Sequence, residues 1–564
     1  MGKSNSDGHN WLNSSPSGFF IARQARVLYN SGKPPLQTWK ENMTMKKFIT
    51  IHTGPKHRPT SPGTALFMAV ALLLCIVMPS LPSEAFERLP VNAELQKVFK
   101  SFPAADPNIL SRTRLFTGNE EAWYARWHMI ESARTSIVST YFIVDNDIFG
   151  WSFLGLLQKK AREGVKVKLM IDARFLRGAR KIGDFDELEE LARMPGVEVR
   201  LYNPVGRSLL HVFQDLRQVL LSNHDKIIII DGKLAMTGGR NIGADYFAQM
   251  GEHDNIFRDM DLVLEGPNVV KQLQRAFDEE WNMLRTVPVK PDLVNLHDQT
   301  AKLDLAYRAM SRYMQGRGTY VGEPKLDAGL KKQLDIYNRE IVKYKKLSGY
   351  ASFELFRGER LKPVKILDKH SMIGTREDIG PNLIRLIDAC KHEILIQNAY
   401  VVLSADAEKA LVRAAARGVK IVLNTNSGES TNHGSTVAFF MNDWKRLLAT
   451  MPGARILVFP TGSPCLHTKA FVFDRQLTVV GTYNLDPLSD VVNSEVVAVI
   501  QDFPFSEMTA QRMERQFGEC LEYKIDLQSD GSIRTVFGPE NHTSAEMMKK
   551  LNRLRKFQWI RPLI

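Results

Sequence analysis

The sequence has few cysteines and no clustered set of metal ligands. Its four cysteines lie far apart, at Cys75, Cys390, Cys465 and Cys520, and none belongs to a CxxC pair or to a Cys/His pattern with metal-binding spacing. A disulfide framework and a structural zinc site are therefore not predicted. We expect a protein that works with no metal and no cofactor.

Aromatic residues make up 9% of the sequence. No stretch interleaves them with lysine and arginine, as a groove that stacks nucleic-acid bases would require. The formal net charge is nevertheless +13. Such a charge suits an anionic partner, either nucleic acid or lipid head groups, or is simply a solvated basic surface. Because the interleaved pattern is missing, we expect no nucleic-acid partner.

The longest apolar run covers residues 65–78 and follows four lysine or arginine residues. It is short for a membrane-spanning helix and is typical of the apolar part of an export signal. Ser83 and Ala85 supply the small residues for cleavage after Ala85. We predict that residues 61–85 are an export signal or an uncleaved membrane anchor. Residues 1–60, rich in Ser, Asn, Gly and Pro, are predicted to be disordered.

One pattern, His-x-Lys-x4-Asp, occurs twice in the chain. Its members are His224, Lys226 and Asp231 in the first copy and His467, Lys469 and Asp474 in the second. Both copies lie in strand-like runs, where alternate side chains share a face, so each histidine projects beside its lysine. Such a pair suits a phosphate, because the cation offsets negative charge while the imidazole attacks phosphorus or moves a proton. Each aspartate lies seven residues after its histidine, so its side chain faces the opposite side of the strand. We therefore predict that the aspartates anchor the turn after each strand.

The same order of strand and helix patterns surrounds each copy. The first half has a strand at 136–147, a helix at 152–164 and a strand at 165–173, and the second has a strand at 392–403, a helix at 405–418 and a strand at 419–427. Gly164 and Gly418 each end the helix before a buried strand. A further strand, at 197–204 or 454–460, precedes each triplet. The sequence predicts a duplicated α/β protein.

The duplication sets the predicted boundaries. They are a first domain at 95–285, a helical connector at 286–360, a second domain at 361–525 and a basic amphipathic tail at 526–564. The tail carries a capping box from Thr543 to Glu546, and it either lies on an anionic membrane or packs against the body. An apolar helical stripe at 205–222 indicates either core or the lining of an acyl-chain groove.

Polar residues recur at matched distances beyond the triplets. Asn241 and Asn484 each lie seventeen residues after the histidine of their half, behind small residues that allow close backbone approach. We expect their carboxamides to donate hydrogen bonds to phosphate oxygens. Thr482 adds a hydroxyl donor, whereas Gly239 in the first half offers only its backbone.

A carboxylate follows in each half. Asp259 and Glu495 could each accept the second N–H of an imidazole and so orient a histidine. Asp261 lies on the same face of the predicted strand and is the alternative to Asp259. The pattern thus predicts two half-sites of the same composition.

The paired motifs resemble those of the phospholipase D superfamily over most of residues 110–525. Within that family, GGRNIGADYF at 238–247 and GTYNLDPLSDVVNSE at 481–495 are similar to bacterial cardiolipin synthases of the C type. The resemblance implies a duplicated phospholipase D fold. Its two α/β/α sandwich domains would be related by a pseudo-twofold axis, with the active site at their junction.

The resemblance also implies a two-step mechanism without a metal. One histidine attacks phosphorus to form a phosphohistidine, and the other protonates the leaving alcohol and then deprotonates the acceptor. The residues implied to hold the phosphoryl oxygens are Lys226, Lys469, Asn241 and Asn484. The family motif also includes Asp231 and Asp474. The symmetry of the pattern leaves open which histidine is the nucleophile.

The resemblance favours a phosphatidyltransferase that makes cardiolipin from phosphatidylglycerol. With water as the acceptor the same chemistry gives a hydrolytic phospholipase D that releases phosphatidic acid. A nuclease or another phosphodiesterase is a further alternative, and the two intact motifs argue against an inactive binding protein. The expected partners are a phospholipid substrate and an anionic membrane surface. The expected location is the periplasmic face of a bacterial inner membrane.

Overall fold

The computed structural model describes residues 89–174, 186–204, 217–290 and 299–563. Residues Glu87–Ile564 form one compact unit. The predicted disordered extension and export signal lie outside the described residues, as does most of the apolar stripe at 205–222. Among the described helices, none combines the length and the apolar character needed to cross a membrane.

The described residues contain nineteen β-strands. They are β1 Leu110–Phe116, β2 Ser136–Tyr141, β3 Lys166–Asp172, β4 Val197–Tyr202, β5 Ile227–Ile230, β6 Leu234–Gly238, β7 Phe257–Arg258, β8 Asp261–Glu265, β9 Thr286–Pro288, β10 Leu361–Lys369, β11 Glu393–Asn398, β12 Lys420–Thr425, β13 Arg455–Val458, β14 Cys465–Leu466, β15 Lys469–Phe473, β16 Leu477–Gly481, β17 Glu495–Gln501, β18 Leu521–Leu527 and β19 Ile533–Phe537. The predicted strands are confirmed, but most are shorter than the apolar runs that indicated them.

The same residues contain fourteen α-helices. They are α1 Ala93–Ser101, α2 Asn119–Ser132, α3 Ile148–Arg162, α4 Asp186–Ala192, α5 Arg217–Leu220, α6 Ala244–Phe247, α7 Pro267–Trp281, α8 Gln299–Met314, α9 Ala328–Ile341, α10 Gly380–Ala389, α11 Ala405–Ala416, α12 Gly434–Thr450, α13 Phe503–Phe517 and α14 Ala545–Leu554. The predicted helix ends are confirmed at Gly164 and Gly418, whose φ angles of +85° and +84° favour glycine.

Seventeen strands form one continuous mixed sheet with an internal repeat. The strand order is β9-β4-β3-β2-β5-β6-β8-β1 in the first half and β18-β13-β12-β11-β15-β16-β17-β10 in the second, with β19 beyond β18. The two halves join where β1 pairs antiparallel with β10. The predicted duplication is therefore confirmed strand by strand.

Both faces of each half-sheet are buried. In β5, Ile228 and Ile230 pack under the outer helices of the first half, while Ile227 and Ile229 face a core shared with the second half. β6 and β8 contact β16 and β17 across this shared core. A strand buried on both faces reads as an unbroken apolar run, which is why the four consecutive isoleucines are tolerated here.

The predicted connector is largely helical and belongs to the first core. Leu303 and Ala306 of α8, and Leu334 and Tyr337 of α9, are buried with the apolar residues of α2 and α3. Gly155 of α3 permits this packing, because a Cβ there would lie 2.2 Å from the carbonyl oxygen of Leu303. The connector therefore stabilises the first half as well as linking it to the second.

The tail packs against the body instead of standing free. Leu551 of α14 is buried, and Met547, Met548 and Leu554 of the same helix pack with it against α12. The cap of α14 is Ser544, whose hydroxyl accepts from the N–H of Met547 at 3.3 Å. The predicted capping box at Thr543 is thus displaced by one residue, because serine and threonine are both good caps and tertiary packing selects between them.

Candidate active site

Both motif histidines line one cavity at the junction of the two halves. The cavity has a volume of about 360 Å³, and Asn241 and Asn484 line it as well. His224 and His467 are only 6% and 4% exposed. The structure therefore brings the two predicted half-sites together into a single site.

Hydrogen bonds fix the backbone beside each histidine. The N–H of Asn223 donates to Asp172 at 2.8 Å, and its carboxamide oxygen accepts from Thr140 at 2.9 Å. In the second half, Asn426 bonds the backbone N–H and C=O of Leu466 at 2.8 and 2.7 Å. Each histidine thus precedes its strand, β5 or β15, on a rigid segment.

Each motif histidine is paired with a carboxylate from the other half of the chain. Nδ1 of His224 lies 2.9 Å from both carboxylate oxygens of Glu495, in the second half. Nδ1 of His467 lies 2.6 Å from Asp259, in the first half. The alternative, Asp261, instead pairs with Arg126 and Arg240, each at 2.9 Å. Each imidazole is therefore oriented by the half that does not contain it.

Small residues make room for these carboxylates. A Cβ on Gly239 would lie 2.1 Å from Asp259 Oδ1, so only glycine lets this carboxylate approach. The matching residue of the second half is Thr482, and its hydroxyl donates to Glu495. Thr482 was predicted to bind phosphate; in this structure its hydroxyl is directed at the carboxylate.

Ser489 is a functional residue that the sequence did not reveal. Its hydroxyl donates to Glu495 at 2.5 Å, and the residue also lines the cavity. It lies in a single π-helical turn, Leu488–Val492. Such turns are frequent at functional sites, but they leave no periodic signal in the sequence.

The two motif lysines are buried and point toward the backbone of their own histidines. Nζ of Lys226 donates to the carbonyl oxygen of His224 at 2.7 Å. Nζ of Lys469 donates to the carbonyl oxygen of His467 and lies 3.0 Å from its Nδ1. The described residues that line the cavity do not include either lysine. Each lysine is therefore held at the backbone of its own histidine, behind the cavity wall.

Burial sets the protonation of the imidazoles. It lowers the pKa of His467 to about 3, with the Lys469 charge acting in the same direction. Burial followed by Lys226 and Lys469 likewise holds the pKa of His224 well below its usual value. Both shifts favour the neutral ring, in which an Nδ1–H donated to a carboxylate leaves the Nε2 lone pair unprotonated.

The two carboxyl groups that contact the imidazoles, Glu495 and Asp259, have shifted pKa values of opposite direction. Burial raises the pKa of Glu495 to about 7, and Lys226, Ser489 and Thr482 oppose the rise. Burial also disfavours the charge on Asp259, but His467 and Lys469 outweigh it and hold that pKa below its usual value. Burial lowers the pKa of Lys226 to about 7, against the attraction of Glu495. The second-half histidine thus has the more firmly ionised carboxylate.

The two asparagines differ in what they contact. Nδ2 of Asn241 donates to the Tyr246 hydroxyl at 2.8 Å, and Oδ1 accepts from the N–H of Ile143 at 3.2 Å. Oδ1 of Asn484 is buried and has no hydrogen-bond partner among the described residues. An unsatisfied buried group in a cavity is suited to a ligand donor.

The motif aspartates anchor turns at the far ends of the strands. Asp231 accepts from the backbone N–H groups of residues 134, 135 and 136 at 2.7–2.9 Å. Asp474 accepts from residues 391, 392 and 393 at 2.8–3.0 Å. Both have positive φ, 52° and 48°, a conformation that aspartate tolerates better than most residues. Neither is among the described cavity residues, so their role is to hold structure.

Aromatic rings fix the planes of the imidazoles. Phe257 stacks on His467 at a centroid distance of 5.3 Å and an angle of 17°. Phe142 meets His224 edge to face at 4.8 Å. Tyr246 and Tyr400 also contact His467. Nothing in the sequence indicated that these rings contact the histidines, because the contacts join segments that are far apart in the chain.

One group among the described residues has the spacing of a cation site. Ligand atoms of Glu279, Asp368 and His370 lie within 4.8 Å of one another. Arg376 already supplies the positive charge, at 2.9 Å from Glu279 and 3.2 Å from Asp368. The group is explained by this arginine and does not line the histidine cavity.

Comparison with known proteins supports the repeat. The family model described as "Cardiolipin synthase, PLD-like domain" matches residues 127–281 and 383–521, so each match contains one histidine motif. The chain is similar to cardiolipin synthase C of Escherichia coli (strain K12), at 25% identity over 79% of this chain and 92% of that protein. It is also similar to a Pseudomonas aeruginosa cardiolipin synthase A, at 25% identity over 80% of this chain and 74% of that protein.

A solved structure supports the fold. The structure of phosphatidylserine synthase from Haemophilus influenzae Rd KW20 covers 84% of this chain and 100% of its own, with a TM-score of 0.54 and 11% sequence identity. This likeness confirms the predicted duplicated phospholipase D fold. Because the family model covers just over half of the sequence, the chain belongs to the cardiolipin synthase, phospholipase D-like family and is an enzyme of the phospholipase D superfamily.

Proposed function

We propose that the protein is a phosphatidyltransferase that joins two phosphatidylglycerol molecules into cardiolipin and glycerol. The observation that carries the proposal is the pair of imidazoles on one cavity, each held through Nδ1 by a carboxylate of the other half. Such a pair can act as nucleophile and as acid–base group on opposite sides of one phosphorus atom. The names of the curated relatives support a phospholipid substrate.

The proposed reaction has two displacements. In the first, Nε2 of one histidine attacks phosphorus, the bond from phosphorus to the glycerol head group breaks, and the second histidine, protonated, gives its proton to the departing oxygen. In the second, that histidine removes the proton from a head-group hydroxyl of another phosphatidylglycerol. The resulting oxygen attacks the phosphohistidine and releases the first imidazole. The negative phosphodiester favours the protonated form of the second histidine.

The remaining site residues have supporting roles in this proposal. The Lys226 and Lys469 charges stabilise the phosphoryl oxygens as negative charge develops, and Asn241 and Asn484 position them. Asp259 and Glu495 position the imidazoles, while Asp231 and Asp474 hold the turns. The mechanism requires no contribution from a metal.

We further propose that the protein acts on an anionic membrane surface, at the periplasmic face of the inner membrane. Phe557 and Trp559 support this, since they are 48% and 70% exposed and lie beside the basic residues of the tail. Aromatic side chains flanked by cations are typical of segments that rest in the lipid interface. The proposed signal at 61–85 would direct export, and N-terminal sequencing of the native protein tests its cleavage after Ala85.

Product analysis tests the proposed activity. Purified protein is incubated with phosphatidylglycerol vesicles, with the head-group glycerol and the acyl chains labelled differently. We expect cardiolipin and free glycerol in equal amounts. Phosphatidic acid as the sole lipid product would identify a hydrolytic phospholipase D, and turnover of a nucleic-acid phosphodiester without turnover of the lipid would identify a nuclease.

A further inference from the structure

We infer that the segment Gln558–Leu563 is the wall of the catalytic cavity that selects a lipid alcohol over water as acceptor. The inference rests on the proposed transfer reaction and assigns its specificity to named residues. Leu563 lines the same cavity as His224 and His467. A residue of the tail, which is remote from both motifs in the sequence, therefore faces the reacting groups.

Helix α12 connects the tail to the cavity. Its apolar face, with Val437, Ala438 and Met441, packs against α14. Its first turn supplies Ser435 and Thr436 to the cavity wall. The tail and the cavity thus share one rigid element, so a shift of the tail moves the wall.

Close packing also fixes the tail from the other side. A Cβ added at Gly428 would lie 2.7 Å from Leu551 Cδ1. Ser544 donates its backbone N–H to Glu429 at 2.8 Å. Both glycine and glutamate belong to the loop that follows β12, which leads to the α12 residues of the cavity.

Two polar contacts hold the end of the tail on α12, one from the segment and one from the residue Arg555 that precedes it. The Arg561 guanidinium forms an ion pair with Asp443 at 2.7 Å. Nε of Arg555 donates to Asn442 at 2.7 Å. Asp443 is largely buried, and Arg561 lies two residues before Leu563. The ion pair therefore fixes the position of Leu563 in the cavity wall.

The physical consequence concerns the second displacement. A phosphohistidine partitions between water and a lipid hydroxyl according to which acceptor reaches phosphorus. Leu488 and Leu563 form apolar parts of the cavity wall, where water finds no hydrogen-bond partner. A lipid acceptor can instead pack its own apolar surface against these side chains. Removing the Leu563 side chain opens this wall to water. The result is a shift from transfer to hydrolysis.

The test is the ratio of cardiolipin to phosphatidic acid made from labelled phosphatidylglycerol in mixed vesicles with phosphatidylcholine. For Leu563→Ala and Leu563→Asp we expect the ratio to fall by at least about fivefold, with phosphatidic acid rising in absolute amount. The matched control is Leu284→Ala, because Leu284 is 91% exposed and distant in sequence from every cavity residue. This control is expected to keep the ratio of the unaltered protein.

The ion pair provides a second, independent set of variants. Arg561→Ala and Asp443→Ala should each lower the ratio, and the double variant should lower it no further than the stronger single change. Thermal unfolding of each variant verifies that it is folded. If Leu563→Asp and Arg561→Ala are folded and keep the ratio of the unaltered protein, this inference is overturned, while the proposed function still stands. If the unaltered protein makes no cardiolipin, the proposed function itself is overturned.

Discussion

Each motif histidine is fixed by a carboxylate from the opposite half of the chain. Glu495 lies 271 residues from His224, and Asp259 lies 208 residues from His467. The carboxylate accepts from Nδ1, which sets the tautomer and leaves Nε2 as the reactive nitrogen. Because the exchange is reciprocal, neither half can present a correctly oriented imidazole by itself.

Removing either carboxylate should slow the reaction while leaving the protein folded. For Asp259→Asn and Glu495→Gln we expect kcat to fall by about 10- to 100-fold or more, because the amide no longer favours the correct tautomer. Steady-state kinetics with labelled phosphatidylglycerol measures the loss. Asp278→Asn is the control and should retain full kcat, because Asp278 is partly exposed on α7 and does not line the histidine cavity. Full activity in Asp259→Asn would refute an orienting role for this residue.

The charge on Lys226 should make substrate binding depend on pH. Its pKa is about 7, below the usual lysine value, so the ammonium is lost as pH rises through 7. We expect KM for phosphatidylglycerol to rise between about pH 6 and pH 8.5, because the cavity that binds the anionic phosphate then loses the positive charge behind its wall. Lys226→Arg stays protonated and should show a flatter pH profile. A KM that does not change with pH in the unaltered protein would contradict this assignment.

At the scale of elements, the motif aspartates tie the strand ends to neighbouring loops. Asp474 is fully buried and accepts from three backbone N–H groups, from the Asn92 side chain at 2.7 Å and from Cys390 at 2.9 Å. These donors lose their partner if the carboxylate is removed. Asp231 makes a similar set of bonds but is partly exposed, so water can replace it.

This difference predicts unequal losses of stability. We expect Asp474→Ala to lower the free energy of unfolding by about 3 kcal/mol or more, and Asp231→Ala by about 1–2 kcal/mol. Denaturant unfolding compares the two. The pKa of Asp474 is depressed, so its contribution is complete above the unfolded value of about 3.9 and fades as pH falls below it. Equal losses in the two variants would contradict the assigned burial.

Local patterns predicted most of the elements but fewer of the contacts. Spacing and periodicity indicated the strands β2 and β11, the helices that follow them and the glycines that end those helices. The sequence predicted that Thr482 binds phosphate but did not predict its contact with Glu495, because Glu495 arrives from a different strand. Ser489, Phe142 and Leu563 gave no local signal, since only tertiary packing brings them to the cavity.

On the scale of the whole molecule, the joined sheet places the two half-sites face to face and the tail beside them. The position of Phe557 and Trp559 predicts that the same tail contacts lipid. We expect Phe557→Ala and Trp559→Ala each to weaken binding to phosphatidylglycerol vesicles by about tenfold. Vesicle co-sedimentation measures this, with Leu284→Ala as the control. Unchanged binding in the double variant would locate the lipid contact elsewhere on the surface.

The central claim is that the two repeats form one active site and not two. The most direct measurement is the turnover of labelled phosphatidylglycerol by His224→Ala and by His467→Ala, each verified as folded. A shared site predicts that either change alone lowers turnover by at least about a thousandfold, because each displacement needs both imidazoles. Retention of about half of the activity in either variant would show two independent sites and contradict the account.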